Sequence, residues 1–263
     1  MHPLRFYVPE LSPGQCDLPE DQAHHALHVL RVKRGRSIIV FDGRGASAPG
    51  TFLSIQGKAL CQISGPIRHD RPPLVDITIA CAVPKVDRAA TLIEQASQLG
   101  VSRLIWLNCQ HSIVRPQAAG EKMKRWRSLA IESAKQCGRN YVLRIDPLTE
   151  FSAALEEFQT AKKTILWANP RAPRSLSDWV IKQLYPLLAE RAGGPFALMA
   201  LIGPEGGFSR REQDLLGAIP EAMPVRLADN ILRVETAALA CAAIIAGVIA
   251  EETGHGHDKT AVL

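Results

Sequence analysis

From residue 75 onward, short apolar runs alternate with stretches of helical length, and this alternation restricts the fold more than any other feature. VDITIACAV (75–83), RLIWL (103–107), TILWA (164–168), FALMALI (196–202) and PVRLA (224–228) read as strands. Residues 89–99, 121–137, 176–191, 210–217 and 235–250 read as helices between and after them. Gly100 and Gly138 stand where a helix C-terminus wants a residue free to adopt positive φ. In the helix 121–137, Met123, Trp126, Ala130, Ala134 and Cys137 recur at the spacing of one buried face. Strands alternating with helices imply an α/β fold with a largely parallel sheet. Sites are expected at the C-terminal ends of its strands.

The first seventy residues have a different texture. RFYV (5–8), SIIVFDG (37–43) and TFLSI (51–55) are short apolar runs bounded by Gly, Pro, Asp and Ser, which predicts a β-rich unit. Residues 20–30 look helical and lead into RVKRGR (31–36). That basic cluster reads either as a solvated turn or as a set of phosphate contacts. RPP (71–73) looks like a linker. The expected division is 1–71, 74–250 and a tail, 251–263.

Composition bounds the function classes. With 263 residues, 46% of them hydrophobic, the chain can bury one large core or two modest ones. A formal charge of +5 is compatible with a polyanionic partner without proving one. The six cysteines (Cys16, Cys61, Cys81, Cys109, Cys137, Cys241) form no C-x-x-C pair and read as reduced, mostly buried thiols. The longest apolar run, 237–250, is too short to span a bilayer, and no apolar signal region opens the chain. A soluble cytoplasmic protein is expected, without membrane attachment. His24 and His28 would share a helix face, but no third ligand stands at a metal-site spacing, so no metal is expected.

The chemistry concentrates in two segments, LIGPEGGFSRRE (201–212) and LADNILRVETAALA (227–240). Each reads as strand, then loop, then helix start. The chain has no G-x-G-x-x-G and no G-x-x-x-x-G-K-[ST]. GPEGG places a carboxylate inside a turn whose glycines let a ligand approach the backbone. Ser209-x-x-Glu212 is the pattern of a capping box. Arg233 and Glu235 lie between a strand and an Ala-rich helix. They are either an ion pair pinning the loop or part of a site beside free helix N–H groups. Ala237, Ala238, Ala240, Ala242 and Ala243 suit close packing in a core or a dimer interface.

At these residues the chain resembles the bacterial 16S rRNA uridine N3-methyltransferases of the SPOUT superfamily. GPEGGFS (203–209) and ILRVETA (231–237) are similar to that family's cofactor loops, and WRSLAIESAKQCGRN (126–140) to its central helix. HHALHVLRVKRG (24–35) and FDGRG (41–45) resemble its RNA-binding domain, and PKVDRAATLIEQASQLGV (84–101), with Lys85, its first helix. Ala228, Asn230, Val234 and Gln98 depart from the family's preferred Gly, Arg, Thr and Glu.

The resemblance implies a C-terminal SPOUT α/β domain with a deep trefoil knot, an N-terminal PUA-like β-barrel, and a homodimer. It implies S-adenosylmethionine as cofactor, held by Ala168, Leu201, Ile202, Gly203, Pro204, Glu205 and Gly206 together with Leu227, Ala228, Asn230, Ile231, Leu232, Arg233 and Thr236. Its partner would be the 16S rRNA of the small ribosomal subunit, contacted through Arg5, His25, Arg31, Lys33, Arg34, Arg139 and Asn140. Arg233 would stabilise the charge developing on the uracil, and Glu205 or Glu235 would accept the N3 proton or only orient the loop. Two rival readings are a SPOUT ribose 2′-O-methyltransferase and a non-catalytic RNA-binding assembly factor.

Overall fold

The computed structural model describes residues 3–55, 58–114, 120–161, 163–190 and 193–253, with the backbone alone at 86, 87 and 250–253. Two compact units result. One comprises residues up to 72 together with 130–142, and the other comprises 73–129 and the chain from 143.

The first unit is built on a six-stranded sheet of β1 (Leu4–Tyr7), β2 (Gln15–Asp17), β3 (Ser37–Phe41), β4 (Ala46–Ile55), β5 (Lys58–Ile63) and β6 (Arg68–His69). The order is β1-β3-β4-β5-β2, with β6 pairing β4. Alternating residues of β3 and β5 turn inward. Ile38, Val40, Phe52 and Cys61 meet Phe6 and Ala26 in one cluster from which water is excluded. The expected helix 20–30 is a short α1 (Glu20–His24) continued by a π-helical turn, His25–Val29. The strand expected at 51–55 is the second half of β4, whose earlier part Pro49 and Gly50 conceal.

The second unit carries β7 (Val75–Ala82), β8 (Arg103–Asn108), β9 (Arg144–Glu150), β10 (Thr164–Ala168), β11 (Phe196–Ile202) and β12 (Ala222–Val225). All pair in parallel, in the order β12-β10-β11-β7-β8-β9. The two central strands, β7 and β11, are almost wholly buried, which is why they appear as unbroken apolar runs. Helices α2 (Val86–Gln98), α4 (Phe151–Thr160), α7 (Arg210–Gly217) and α8 (Val234–Thr253) belong to this unit. So does a composite of α5 (Leu176–Trp179), a π-helical turn (Val180–Leu184) and α6 (Tyr185–Ala189), where one helix was expected. Helix α3 (Glu121–Cys137) contributes its first residues to the second unit and its last to the first.

Four expectations change. The last strand ends at Val225, because the Arg226 backbone turns to Arg174 and Leu176, so 226–228 is loop. Helix α8 runs to Thr253, so the first residues of the expected tail are helical, while 254–263 lie outside the described residues. Cys137 is exposed, since it is the last helical residue before the chain turns at Gly138 (φ 78°). Strand β9 and helix α4 were not anticipated. The other five cysteines are buried, and burial pushes the Cys61, Cys109 and Cys241 thiols up to about 12.

At the outer edge of this sheet, Arg103 on β8 donates to Asp146 on β9 and to Glu157 on α4. Asp146 is only 7% exposed, and its second oxygen accepts from Arg144 Nε at 2.8 Å. The Arg103 hydrogen bond holds the Glu157 carboxyl below its usual range. Stability from that pair is therefore complete at neutral pH and is lost as pH falls through the depressed folded-state value. Removing Asp146 leaves Arg103 with Glu157 alone and takes the carboxylate from the exposed Arg144, so Asp146→Ala is expected to lower the urea-unfolding free energy by about 2 kcal/mol. A loss under ~1 kcal/mol would show that the cluster is held by packing alone.

Candidate functional site

Three loops meet at the C-terminal ends of β10, β11 and β12 and enclose a cleft of about 460 Å³, within the usual range for a small-molecule site. The first follows β10 and contributes Asn169, Pro170 and Arg171, beside Trp167 and Ala168 at the end of that strand. The second is the GPEGGF turn after β11, and the third is the loop from Leu227 to Leu232 that leads into α8.

The GPEGGF turn is held from behind. Ser209 is the N-cap of α7, and Glu212 completes the capping box, accepting from Ser209 N at 2.7 Å. The other Glu212 oxygen accepts from Gln110 N at 2.8 Å, in the loop after β8. His111 Nδ1 lies 3.1 Å from Gly207 O and 3.3 Å from Gly206 O, so its Nδ1–H tautomer donates to the turn. A Cβ on Gly206 would stand 3.2 Å from that of His111, and one on Gly203 would stand 3.3 Å from Phe208 N. Gly207 takes positive φ, at 72°. The turn is thus tightly packed on its own loop and on His111, positions that only glycine can occupy.

The third loop has the opposite character. Among the described residues, the backbone groups of 227–232 enter no backbone hydrogen bond. Several N–H and C=O groups beside the cleft are therefore available to a ligand.

The expected cofactor residues separate accordingly. Ala168, Ile202, Gly203, Pro204, Glu205, Gly206, Leu227, Ala228, Asn230, Ile231 and Leu232 all line the cleft. Leu201 does not: its side chain is in the core and its backbone pairs with both Trp167 on β10 and Ala80 on β7. Arg233 and Thr236 are exposed and outside the cleft lining. The Arg233–Glu235 ion pair is not formed. Glu235 faces Arg88 of α2, Oε1 to Nε 3.4 Å, and its Oε2 is buried without a hydrogen-bond partner. Of the two candidate carboxylates, only Glu205 borders the cleft.

Arg171, Phe208 and Gln213 line the cleft but were not anticipated. Arg171 is the one cation among the described lining residues. The loop NPRAP that carries it matches no motif. The signal was its position after a buried strand.

In the first unit, Arg31, Lys33 and Arg34 stand exposed, with Arg31 at φ 49°. Arg5, His25 and Asn140 have internal roles instead. Asn140, 7% exposed, accepts from Arg5 and donates to Ser47 Oγ at 3.1 Å and to Asp70 Oδ2 at 3.0 Å. Arg5 also lies over the Phe41 ring. His25 lies 3.5 Å from Glu132 and 3.4 Å from Lys135 Nζ. Arg139 is partly buried, and desolvation pulls its guanidinium pKa down. Among the described residues no cluster of three His, Cys, Asp or Glu side chains could hold a metal. No described helix is long and apolar enough to cross a membrane.

A parallel sheet whose C-terminal loops, without a glycine-rich dinucleotide turn, close on a nucleotide-sized cleft defines an α/β ligand-binding domain of unusual construction. The chain belongs to the RNA methyltransferase domain family, whose model matches residues 70–246. The model of the RNA methyltransferase PUA domain matches residues 18–64. The ribosomal RNA small subunit methyltransferase E of Bacillus subtilis is 26% identical over 245 residues, covering 90% of this chain and 93% of that protein. Its Mycobacterium bovis counterpart is 27% identical over 246 residues, covering 89% and 88%. The crystal structure of ribosomal RNA small subunit methyltransferase E from Neisseria gonorrhoeae bound to S-adenosyl methionine has a TM-score of 0.74 at 27% identity. It covers 98% of this chain and all of that one.

The buried Glu212 carboxylate is the joint on which the turn hangs. Glu212→Ala leaves the Ser209 and Gln110 N–H groups without acceptors, and about 2 kcal/mol of unfolding free energy should be lost. Chemical denaturation of the two proteins side by side measures it. Wild-type stability in the variant would mean that the turn is held elsewhere.

Proposed function

We propose that this protein transfers a methyl group from S-adenosylmethionine to N3 of a uridine in the 16S rRNA of the small ribosomal subunit. The observation that carries this reading is the cleft between the rigid GPEGGF turn and the open-backbone loop 227–232, in a chain of the RNA methyltransferase family. In this reading the C-terminal loops belong to a deep trefoil knot, and the sheet of the first unit is a PUA-like barrel.

The donor set fits the cofactor. Backbone groups of 227–232 would meet the adenine and ribose, and the backbone of Gly203 and Gly206 at the opposite wall would lie against the body of the molecule. Arg171 would meet the methionine carboxylate. When bound, the cofactor supplies an electrophilic methyl group on a sulfonium. The protein then has to align, desolvate and manage charge. N3 of uridine is a weak acid flanked by two carbonyls, so its proton must leave as the new bond forms. Glu205, exposed at the cleft edge, would accept it, a reading supported by the engagement of Glu235 with Arg88. The target base must be unpaired for its Watson–Crick edge to be reached. Arg31, Lys33 and Arg34 would take backbone phosphates.

Arg233 is exposed and outside its own cleft, and this supports a role across a homodimer, stabilising charge on the uracil in the partner's site. Helix α8 supports the same assembly. It is apolar on nearly every side, yet Ala243 and Gly247 are exposed, and a Cβ on Gly247 would meet nothing. Wild-type protein should sediment as a dimer. Ala243→Arg should sediment as a monomer and lose methyl transfer at least tenfold, and a dimeric variant would remove this surface from the interface.

The direct test incubates protein and cofactor with unmodified small subunits and maps the RNA by primer extension. An N3-methyl blocks pairing and arrests the polymerase at one uridine, whereas a ribose methyl leaves the pairing edge intact and at ample nucleotide concentration is mostly read through. Absence of any new arrest would sink the proposal. His111→Ala, which frees the GPEGGF turn, should weaken cofactor binding about fivefold in calorimetry, the equivalent of one hydrogen bond. Unchanged affinity would show that the turn needs no support from His111.

A further inference from the structure

A second cavity, of about 850 Å³, opens on the other side of the 203–212 segment. It is formed at the C-terminal ends of β8 and β9 and the starts of α4 and α7, wholly within the second unit. The GPEGGFS segment therefore partitions two spaces, the cleft at β10–β12 and this one at β8–β9.

The lining has a definite chemistry. Asn108, at the end of β8, donates through Nδ2 to Glu150 Oε1 at 2.7 Å, which fixes the orientation of its amide. Its Oδ1 is buried and accepts nothing from the protein. Asn108 itself lines the cavity, so a small turn of its side chain brings this unsatisfied acceptor to a donor that a ligand there can offer. Glu212 is spent on its two backbone N–H groups, and Arg210 shares its charge with Asp214 at 3.1 Å. Arg211 is exposed, with no ion pair among the described residues. Leu215 adds an exposed apolar surface.

An unpaired acceptor for an N–H, an apolar surface and a free guanidinium on the rim match the parts of one nucleotide: base edge, base face and phosphate. We propose that this cavity receives a nucleotide flanking the methylated uridine on the same RNA strand. Asn108 Oδ1 accepts from the edge of its base, and Arg211 pairs with its phosphate. The strand crosses the partition, so that one base lies at the cofactor cleft while its neighbour is gripped beyond Ser209. This rests on the reading that the substrate is RNA, and it adds a specificity subsite to that reading.

The test uses an RNA fragment with the acceptor uridine in an unpaired segment, and the same fragment made abasic at each of the two positions on either side. Each is titrated, with S-adenosylhomocysteine present, against wild type, Asn108→Ala and Arg211→Ala. In the wild type, one abasic position should weaken binding about tenfold, and Asn108→Ala should abolish that difference. Arg211→Ala should bind every fragment several-fold more weakly, and its log–log salt dependence should be shallower by about 0.7, one single-strand phosphate. Calorimetry should show wild-type cofactor affinity for both variants.

The subsite is overturned if the abasic penalty is the same in wild type and Asn108→Ala. It is equally overturned if Arg211→Ala keeps wild-type affinity and salt slope. Arg211 is a surface residue, so its arm decides even where Asn108→Ala folds poorly. Coupled binding without a primer-extension arrest would remove the proposed reaction and leave the subsite standing. An arrest without coupling would remove the subsite alone.

Discussion

The Glu212 carboxylate is the group on which the ligand-binding half of the molecule depends. It is nearly inaccessible to water, and it survives as a buried acceptor because two backbone N–H groups point at it. One comes from its own capping box and one from the loop after β8. Through that single side chain the start of α7, the GPEGGF turn and the end of β8 are fixed to each other. His111 adds a clasp on the same turn from the same loop. The rigid wall of the cleft is therefore produced by contacts behind it, which leave Glu205 and the glycine backbone at its front face.

The cleft's two long walls solve opposite problems. The GPEGGF turn meets a ligand with glycines and has its strain and polarity settled internally. The loop 227–232 meets a ligand with backbone groups that the fold has left open. A site made this way has few charged side chains to show. Arg171 and Glu205 are the only two among the described lining residues. Such a site reads weakly in composition and strongly in geometry.

What was legible in the chain follows the range of the interactions. Strands β7 and β11 are buried on both faces, so each is an apolar run that nothing else explains. The Ser209–Glu212 capping box is a contact over three residues and could be read directly. The Gln110–Glu212 contact joins residues 102 apart, and no local pattern announces it. Strand β9, RIDPLTE, lies at the sheet edge and is mostly polar and half-exposed, so it has neither an apolar run nor clean alternation. Helix α4 starts at the residue after β9 ends, with no turn residues between them to mark the change. Arg233–Glu235 looked like a pair because the residues are neighbours. Yet Glu235 lies in the first turn of α8, where it faces α2 and Arg88. Asn140 was expected at the RNA only through the resemblance of the segment ending QCGRN, and burial has committed its amide to Arg5, Ser47 and Asp70.

The sheet order has a temporal meaning. Val75 on β7 pairs with Phe196 on β11, the strand that completes the centre of the second sheet. The first unit likewise needs residues 130–142 to be finished. Neither unit is a contiguous stretch that could close as it leaves the ribosome, and the loop closures are long. During synthesis β7 must wait, the edge it turns to β11 unpaired, until the chain is about three-quarters made. The cleft, which needs the loop before α8, forms last of all. A chain laid out in this way cannot acquire its binding site before nearly all of it exists, so fragments released early carry exposed strands without function.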